Sequence, residues 1–324
     1  MNVTRRATLA AGLVAPSLAL AQSRFPDKPL RVYVPWTPGG ATDIQMRMVC
    51  EVASRHLGQP IIVENKPGAS GTLGAQALAR EARPDGYTLS QMPNGIFRMP
   101  AMMRAQNMAP PFDPLQDFTW VIRLVGYMGG VVVRPDAPWR SMRELLDHAR
   151  ANPGALFYGT PGANTTDVAM TRLARMLGIE WTSVPFRGAA PNLQNLLGGQ
   201  IHFSAETSAW ADMALEGRVR PLGLWMSQRA ARFPDVPTFR ELGHDVVAES
   251  AYGIAAPRGT PPAIVNIIHD AFKLAVHDPQ HLAVLARFDM PVRYLDSENY
   301  ANDAMLVNAQ EIETVRELGL RPGG

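Results

Sequence analysis

The chain has 324 residues, with 31 Lys or Arg against 29 Asp or Glu, seven His and one Cys. A formal net charge of +2 argues against a nucleic-acid binder, which needs a strongly basic face. One cysteine excludes an internal disulfide, and the length suits two domains with substantial cores.

The N-terminus reads as an export signal. Arg5 and Arg6 precede an apolar stretch from Leu9 to Leu20, and Ala19-Leu20-Ala21 is a small-x-small cleavage site. Thr4-Arg5-Arg6 fits either twin-arginine or ordinary secretory export. Cleavage near Ala21 makes residues 1–21 a signal peptide and leaves 324 − 21 = 303 residues, with 31 − 2 = 29 basic and 29 acidic side chains. No later apolar run approaches the length of a membrane span, so the expected product is a soluble periplasmic protein.

Residues 30 to 43 read Leu-Arg-Val-Tyr-Val-Pro-Trp-Thr-Pro-Gly-Gly-Ala-Thr-Asp. The β-branched and aromatic run is a strand; Pro35, Pro38, Gly39 and Gly40 end it in a turn. Thr42 and Asp43 are capping residues, and Ile44, Met48 and Val52 continue at helical spacing. A strand that turns at two glycines into a helix leaves backbone N–H groups unpaired at the positive end of the helix dipole. That is an anion site. Cys50, mid-helix among apolar neighbours, reads as a small buried hydrophobe.

Further strands are expected at 61–65, 87–91, 156–160, 183–186, 202–206, 220–225 and 292–295. Helices are expected at 43–57, 74–82, 141–151, 165–177, 189–197, 262–276, 279–287 and 297–317. This alternation predicts an α/β fold of mostly parallel sheets flanked by helices. Two extended apolar stretches, Phe118 to Val133 and Val246 to Ala256, read as crossover segments at a hinge. Domain 1 is then discontinuous, 22–122 plus 250–324, and domain 2 is 123–249, with a cleft between the lobes.

Enzymatic constellations are mostly missing: there is no Gly-x-Ser-x-Gly elbow, phosphate loop or His-Glu-x-x-His. His277 and His281 straddle Asp278-Pro279, a helix break, and read as surface or capping residues. Gly68 to Gly74 opens a helix after a strand, but its glycines are spaced three and three, unlike a dinucleotide loop. No metal or cofactor is expected. The opening geometry recurs, however: Leu156 to Thr160 is a strand, and Pro161-Gly162-Ala163-Asn164-Thr165-Thr166 turns into a helix. Both turns lie beyond the carboxyl ends of strands, where open α/β sheets bind ligands. Charged hydrogen bonds contribute about 1.5–3 kcal/mol each, so four or five approach the roughly 8 kcal/mol of micromolar binding.

Ordered segments along the chain resemble one family. They include Phe25-Pro26-Asp27-Lys28-Pro29, Val34 to Asp43, Leu57-Gly58-Gln59-Pro60, Val63-Glu64-Asn65-Lys66-Pro67-Gly68-Ala69 and Pro84-Asp85-Gly86-Tyr87-Thr88-Leu89. Val184-Pro185-Phe186-Arg187-Gly188, Leu197-Gly198-Gly199-Gln200, Pro234-Asp235-Val236-Pro237-Thr238 and Ala256 to Pro261 follow. Together they resemble the Bug family, the solute-binding proteins of tripartite tricarboxylate transporters. The resemblance implies a monomeric, two-lobed periplasmic binding protein that closes on an organic acid and presents it to a two-subunit membrane permease. It places the ligand carboxylate between Pro38, Gly39, Gly40, Ala41, Thr42 and Asp43 in one lobe and Thr160, Gly162, Ala163, Asn164, Thr165 and Thr166 in the other.

Departures from the family pattern fall at Trp36-Thr37, at Gln91 to Arg98, and at Glu206, where many members carry aspartate. The ligand-selecting candidates are therefore Trp36, Asn94, Phe97, Arg98, Tyr158, Phe186, Arg187, Glu206 and Tyr252. Trp36 either stacks on a flat ligand or packs in the lobe interface. Arg98 and Arg187 either take a second carboxylate or form salt bridges. Glu206 would repel a second carboxylate, or it neutralises an arginine or receives an amine; Asp43 reads as a cap. The alternatives to a carboxylate receptor are an exported enzyme acting on a carboxylic acid and a sensory accessory protein.

Overall fold

The computed structural model describes residues 25–161 and 165–319. The signal segment therefore lies outside the described residues, as do Gly162, Ala163 and Asn164. The chain enters as β1 (Leu30–Val34), α1 (Ala41–Leu57), β2 (Ile61–Asn65), α2 (Leu73–Glu81), β3 (Thr88–Met92) and α3 (Gly95–Ala105). β4 (Phe118–Val125) leads through Gly126, Tyr127 and Met128 straight into β5 (Gly129–Val133). Then come α4 (Met142–Ala151), β6 (Phe157–Thr160), α5 (Thr165–Leu177), β7 (Thr182–Pro185) and α6 (Ala189–Leu197). β8 (Phe203–Thr207), α7 (Ala211–Leu215) and β9 (Arg220–Leu224) complete this part. The chain returns with β10 (Tyr252–Pro257), α8 (Pro262–Val276), α9 (Pro279–Arg287), β11 (Val292–Leu295) and α10 (Ser297–Leu318).

Two sheets result, ordered β11-β4-β10-β3-β1-β2 and β7-β6-β8-β5-β9. The two-lobed α/β arrangement is the expected one, but the sheets are mixed rather than mostly parallel. β1 pairs in parallel with β2 and β3, and β6 with β7 and β8, as strand–helix–strand units require. β10 lies antiparallel between β3 and β4, and β5 antiparallel between β8 and β9. These are the strands reached through the two crossings, where no helix intervenes to reverse the chain.

Each sheet has its own core. β1 is buried along Leu30, Val32 and Val34, against which α1 lays Met46, Val49, Cys50 and Ala53. Cys50 is 1% exposed and burial pushes its thiol up, so it is the inert hydrophobe its setting implies. In the other lobe Val131, Val133, Phe203, Leu173 and Trp225 share a core. α4 shows how local chemistry fixes an end: Ser141 caps it by accepting the Glu144 N–H at 3.3 Å. α8 stops at Val276, and α9 restarts behind the Asp278 cap and Pro279. His281 is not a surface residue. It is fully buried, and its Nδ1 lies 2.9 Å from the Val276 carbonyl.

Candidate functional site

The turn after β1 is held by Asp43, which is 3% exposed. Its carboxylate accepts the Gly39 N–H at 2.9 Å, the Asn65 amide at 2.7 Å and Arg47 Nε at 3.0 Å. Asn65 Nδ2 also donates to the Trp36 carbonyl at 2.9 Å. Burial works to raise the Asp43 carboxyl, and the bonds from Arg47, Asn65 and Gly39 outweigh it, holding it below its ordinary range. Gly39 takes φ +84, a left-handed conformation that favours glycine.

Gly40 caps α1 without a side chain, and the first bond of this turn runs from the Ile44 N–H to the Gly40 carbonyl at 3.0 Å. The N–H groups of Ala41, Thr42 and Asp43 therefore have no acceptor inside the helix. Gly40, Ala41 and Thr42 form a wall of a cavity between the lobes, with about 60 Å³ open to water-molecule centres. Three more helix starts reach the same cavity. α3 brings Pro93, Asn94 and Gly95; α5 brings Pro161, Thr165 and Thr166; α6 brings Gly188 and Ala189. Thr160 is fully buried behind them, its hydroxyl 3.4 Å from that of Thr166.

Both crossings supply the deep wall, through Tyr127 and Gly129 and through Ala248 and Ser250. The Tyr127 hydroxyl accepts from Thr42 Oγ1 at 2.9 Å and from Gln91 Nε2 at 3.4 Å. Its ring stacks on Tyr252, with centroids 4.7 Å apart. Tyr252 donates to Gln45 Oε1 at 2.7 Å, and Gln45 Nε2 lies 2.8 Å from His281 Nε2. The carbonyl at Val276 requires a proton on His281 Nδ1, so Nε2 accepts from Gln45. Burial lowers the His281 pKa, in keeping with that neutral form. The chain of bonds fixes Tyr127 from behind.

Glu206, at the end of β8, is 1% exposed and lines the cavity. Its Oε1 accepts from Thr207 N at 2.8 Å and Thr207 Oγ1 at 3.0 Å, and its Oε2 from Asn192 Nδ2 at 2.9 Å. Burial pushes its carboxyl up to about 7 in spite of those bonds. Among the described residues lining the cavity, Glu206 is the one charged side chain; Lys, Arg and His are absent from that wall. The lobes also touch: a Cβ on Gly188 would lie 2.9 Å from Thr37 Oγ1.

Of the sequence candidates, Trp36, Gly40, Ala41, Thr42, Asn94, Thr165, Thr166 and Glu206 line the cavity. Pro38, Gly39 and Asp43 belong to its frame rather than its surface. Phe186 and Arg187 line an adjoining outer groove that shares Trp36 and Ser70 with the cavity. Phe97 stacks on Trp120 at 5.7 Å in the first lobe's core, and Tyr158 stacks on Phe203 at 5.5 Å and donates to Asp167 at 2.8 Å. Tyr252 backs Tyr127 from outside the cavity wall.

Arg98 is 1% exposed and forms a two-pronged pair with Glu311 of α10, at 2.7 and 2.6 Å. It is absent from the cavity wall. Tyr127, Thr207, Ser250 and the α6 start escape a reading by motif. The visible sign of Tyr127 is a lone hydroxyl-bearing ring inside an otherwise apolar crossing. Among the described residues no group of three His, Cys, Asp or Glu is placed to hold a metal ion, and no helix is long and apolar enough to cross a membrane.

Two lobes joined by two crossings around a cavity between them define the periplasmic-binding-protein fold. Residues 45–320 match the tripartite tricarboxylate transporter family receptor, and the chain belongs to that family. It is 42% identical over 315 residues to the "UPF0065 protein in gbd 5'region" of Cupriavidus necator, covering 97% of this chain and 94% of that one. Among solved structures, the periplasmic binding protein BugD superposes with a TM-score of 0.85 at 25% identity, covering 92% of this chain and 99% of BugD. The R. palustris protein Rpa4515, solved with adipate, gives the same TM-score at 27% identity and the same coverages.

Proposed function

We propose that this protein is a periplasmic solute-binding protein that captures a small organic acid in the cavity between its lobes. It binds without chemistry and delivers the acid to a two-subunit permease of the tripartite tricarboxylate type. The observation that carries this reading is the convergence of four helix starts, two from each lobe, on one cavity whose described walls hold no cation. Unpaired N–H groups at the α1 start and the hydroxyls of Tyr127 and Thr165 suit a carboxylate there. The adipate held by Rpa4515 is a ligand of this class.

On this reading residues 1–21 are cleaved as a signal, and the first division, expected at 122/123, moves to 125/126 because β4 runs to Val125 within the first sheet, giving domain 1 as 22–125 plus 250–324 and domain 2 as 126–249. The protein works as a monomer, and closure turns about the stretches at 126–128 and 246–251. The turn framed by Pro38 to Asp43 grips the carboxylate through Gly40, Ala41 and Thr42, and the turn from Thr160 to Thr166 closes on it from the other lobe, while Trp36, Asn94 and Glu206 face the rest of the ligand. A thermal-shift panel of mono- and dicarboxylates tests the reading. At least one acid should raise the melting temperature by several degrees; no stabilisation by any of them would overturn it.

A further inference from the structure

The cavity wall carries many donors and one carboxylate. Helix starts and hydroxyls supply donors, and the indole N–H of Trp36, in the same wall, is buried without a formed hydrogen bond, beside the Tyr127 hydroxyl. In the same wall stands Glu206, an acceptor fixed in place by Asn192 and Thr207. Three bonds fill three of the roughly four acceptor positions of a carboxylate, leaving one on Oε2. No Lys, Arg or His among the described lining residues neutralises it.

We infer that Glu206 is a specificity-determining residue: it selects a carboxylate that also carries a hydrogen-bond donor, a hydroxyl, amide or ammonium, and it rejects a second carboxylate. The inference rests on the carboxylate-receptor reading and narrows it. A second carboxylate beside Glu206 would meet a buried like charge or demand its protonation, whereas a donor fills the remaining acceptor position.

Protonation gives a second handle. Burial raises Glu206 to about 7, so it gains charge across neutral pH. Tyr127 is the other titratable residue of the wall; burial raises it too, so it stays neutral over the same range. Raising the pH from 6 to 8 should therefore strengthen ammonium-tipped acids relative to dicarboxylates.

Calorimetric titration of the full-length mature protein with two length-matched series tests this. One contains butyrate, 4-hydroxybutyrate, 4-aminobutyrate and succinate; the other contains hexanoate, 6-hydroxyhexanoate, 6-aminohexanoate and adipate. At pH 8 a donor-tipped member should bind at least about tenfold more tightly than the dicarboxylate of its length. Glu206→Gln should shrink that gap by about tenfold. Should the variant fail to fold, the pH 6 to 8 change in the wild-type ratio reads the same interaction. A dicarboxylate that equals or beats its donor-tipped partner, or a ratio unmoved by both pH and Glu206→Gln, overturns the inference and leaves the receptor reading standing. If no member of either series binds, including butyrate and hexanoate, the inference falls together with the receptor reading.

Discussion

Thr42, in the first turn of α1, donates a 2.9 Å hydrogen bond to the hydroxyl of Tyr127, in the first crossing between the lobes. One bond thereby ties an edge of the proposed anion site to a segment about which the lobes would turn. Tyr127→Phe removes the acceptor and leaves the ring's stacking on Tyr252 intact. It should cost about 1 kcal/mol of stability in urea melts. Ligand affinity should fall by about tenfold by calorimetry, because the cavity wall loses the Tyr127 O–H as a donor.

Asp43 acts through the loop rather than through the ligand. Asp43→Ala removes acceptors from Gly39, Asn65 and Arg47, and should lower stability by about 2 kcal/mol and weaken every acid alike. The pH dependence has a definite sign. The folded carboxyl lies below its ordinary value of 3.8, so its contribution is present above 3.8 and is lost as pH falls through the lower folded value. Melts of wild type and Asp43→Ala should converge in that acid range and separate above it. Parallel curves at all pH values would contradict the assignment.

Glu206 has the opposite sign. Its folded carboxyl titrates near 7 against an ordinary 4.5, so stability from holding the proton is complete below 4.5 and lost as pH rises through 7. The loss is about 3 kcal/mol across that window. Glu206→Gln should flatten this part of the ligand-free stability profile, measured as wild type minus variant. A difference independent of pH would show the carboxyl to be solvated.

On the proposed closure, the close approach of Gly188 and Thr37 belongs to the closed arrangement. Gly188 has φ +111, and a Cβ there would press on Thr37 Oγ1 at 2.9 Å. Gly188→Val should hold the lobes apart, weaken binding by at least about tenfold, and raise the radius of gyration seen by small-angle scattering with saturating ligand. Scattering identical to wild type would place closure elsewhere.

Arg98 illustrates what a sequence hides. Its position beside Pro93 and Asn94 suggested a ligand contact, yet its guanidinium meets Glu311, 213 residues away, inside the first lobe. Arg98→Met should cost about 3–5 kcal/mol by leaving Glu311 buried without its partner, and Arg98→Met with Glu311→Leu should recover much of that loss. Chemical denaturation of the single and double variants decides it.

The same contrast runs through the fold. Periodicity and punctuation placed β1, α1 and the helices around Asp278-Pro279 within a residue or two, because those signals are local. α3 stayed hidden because Gly95 and Pro100, both helix breakers, sit inside it. β4, β5 and β10 read as plain apolar crossings, since nothing local announces which strand each will pair with or in which direction. At the cavity, the α1 turn was legible from its glycines, and Glu206 from its place at a strand end. Tyr127 and the α6 start were not, because their contribution arises only when distant segments fold against each other.

Native mass spectrometry of protein exported to the periplasm and purified without refolding tests the central claim most directly. The account predicts a retained small organic acid on the wild-type protein, and its loss from Gly188→Val. A retained species without an acid group, or retention of the acid unchanged in Gly188→Val, would contradict it.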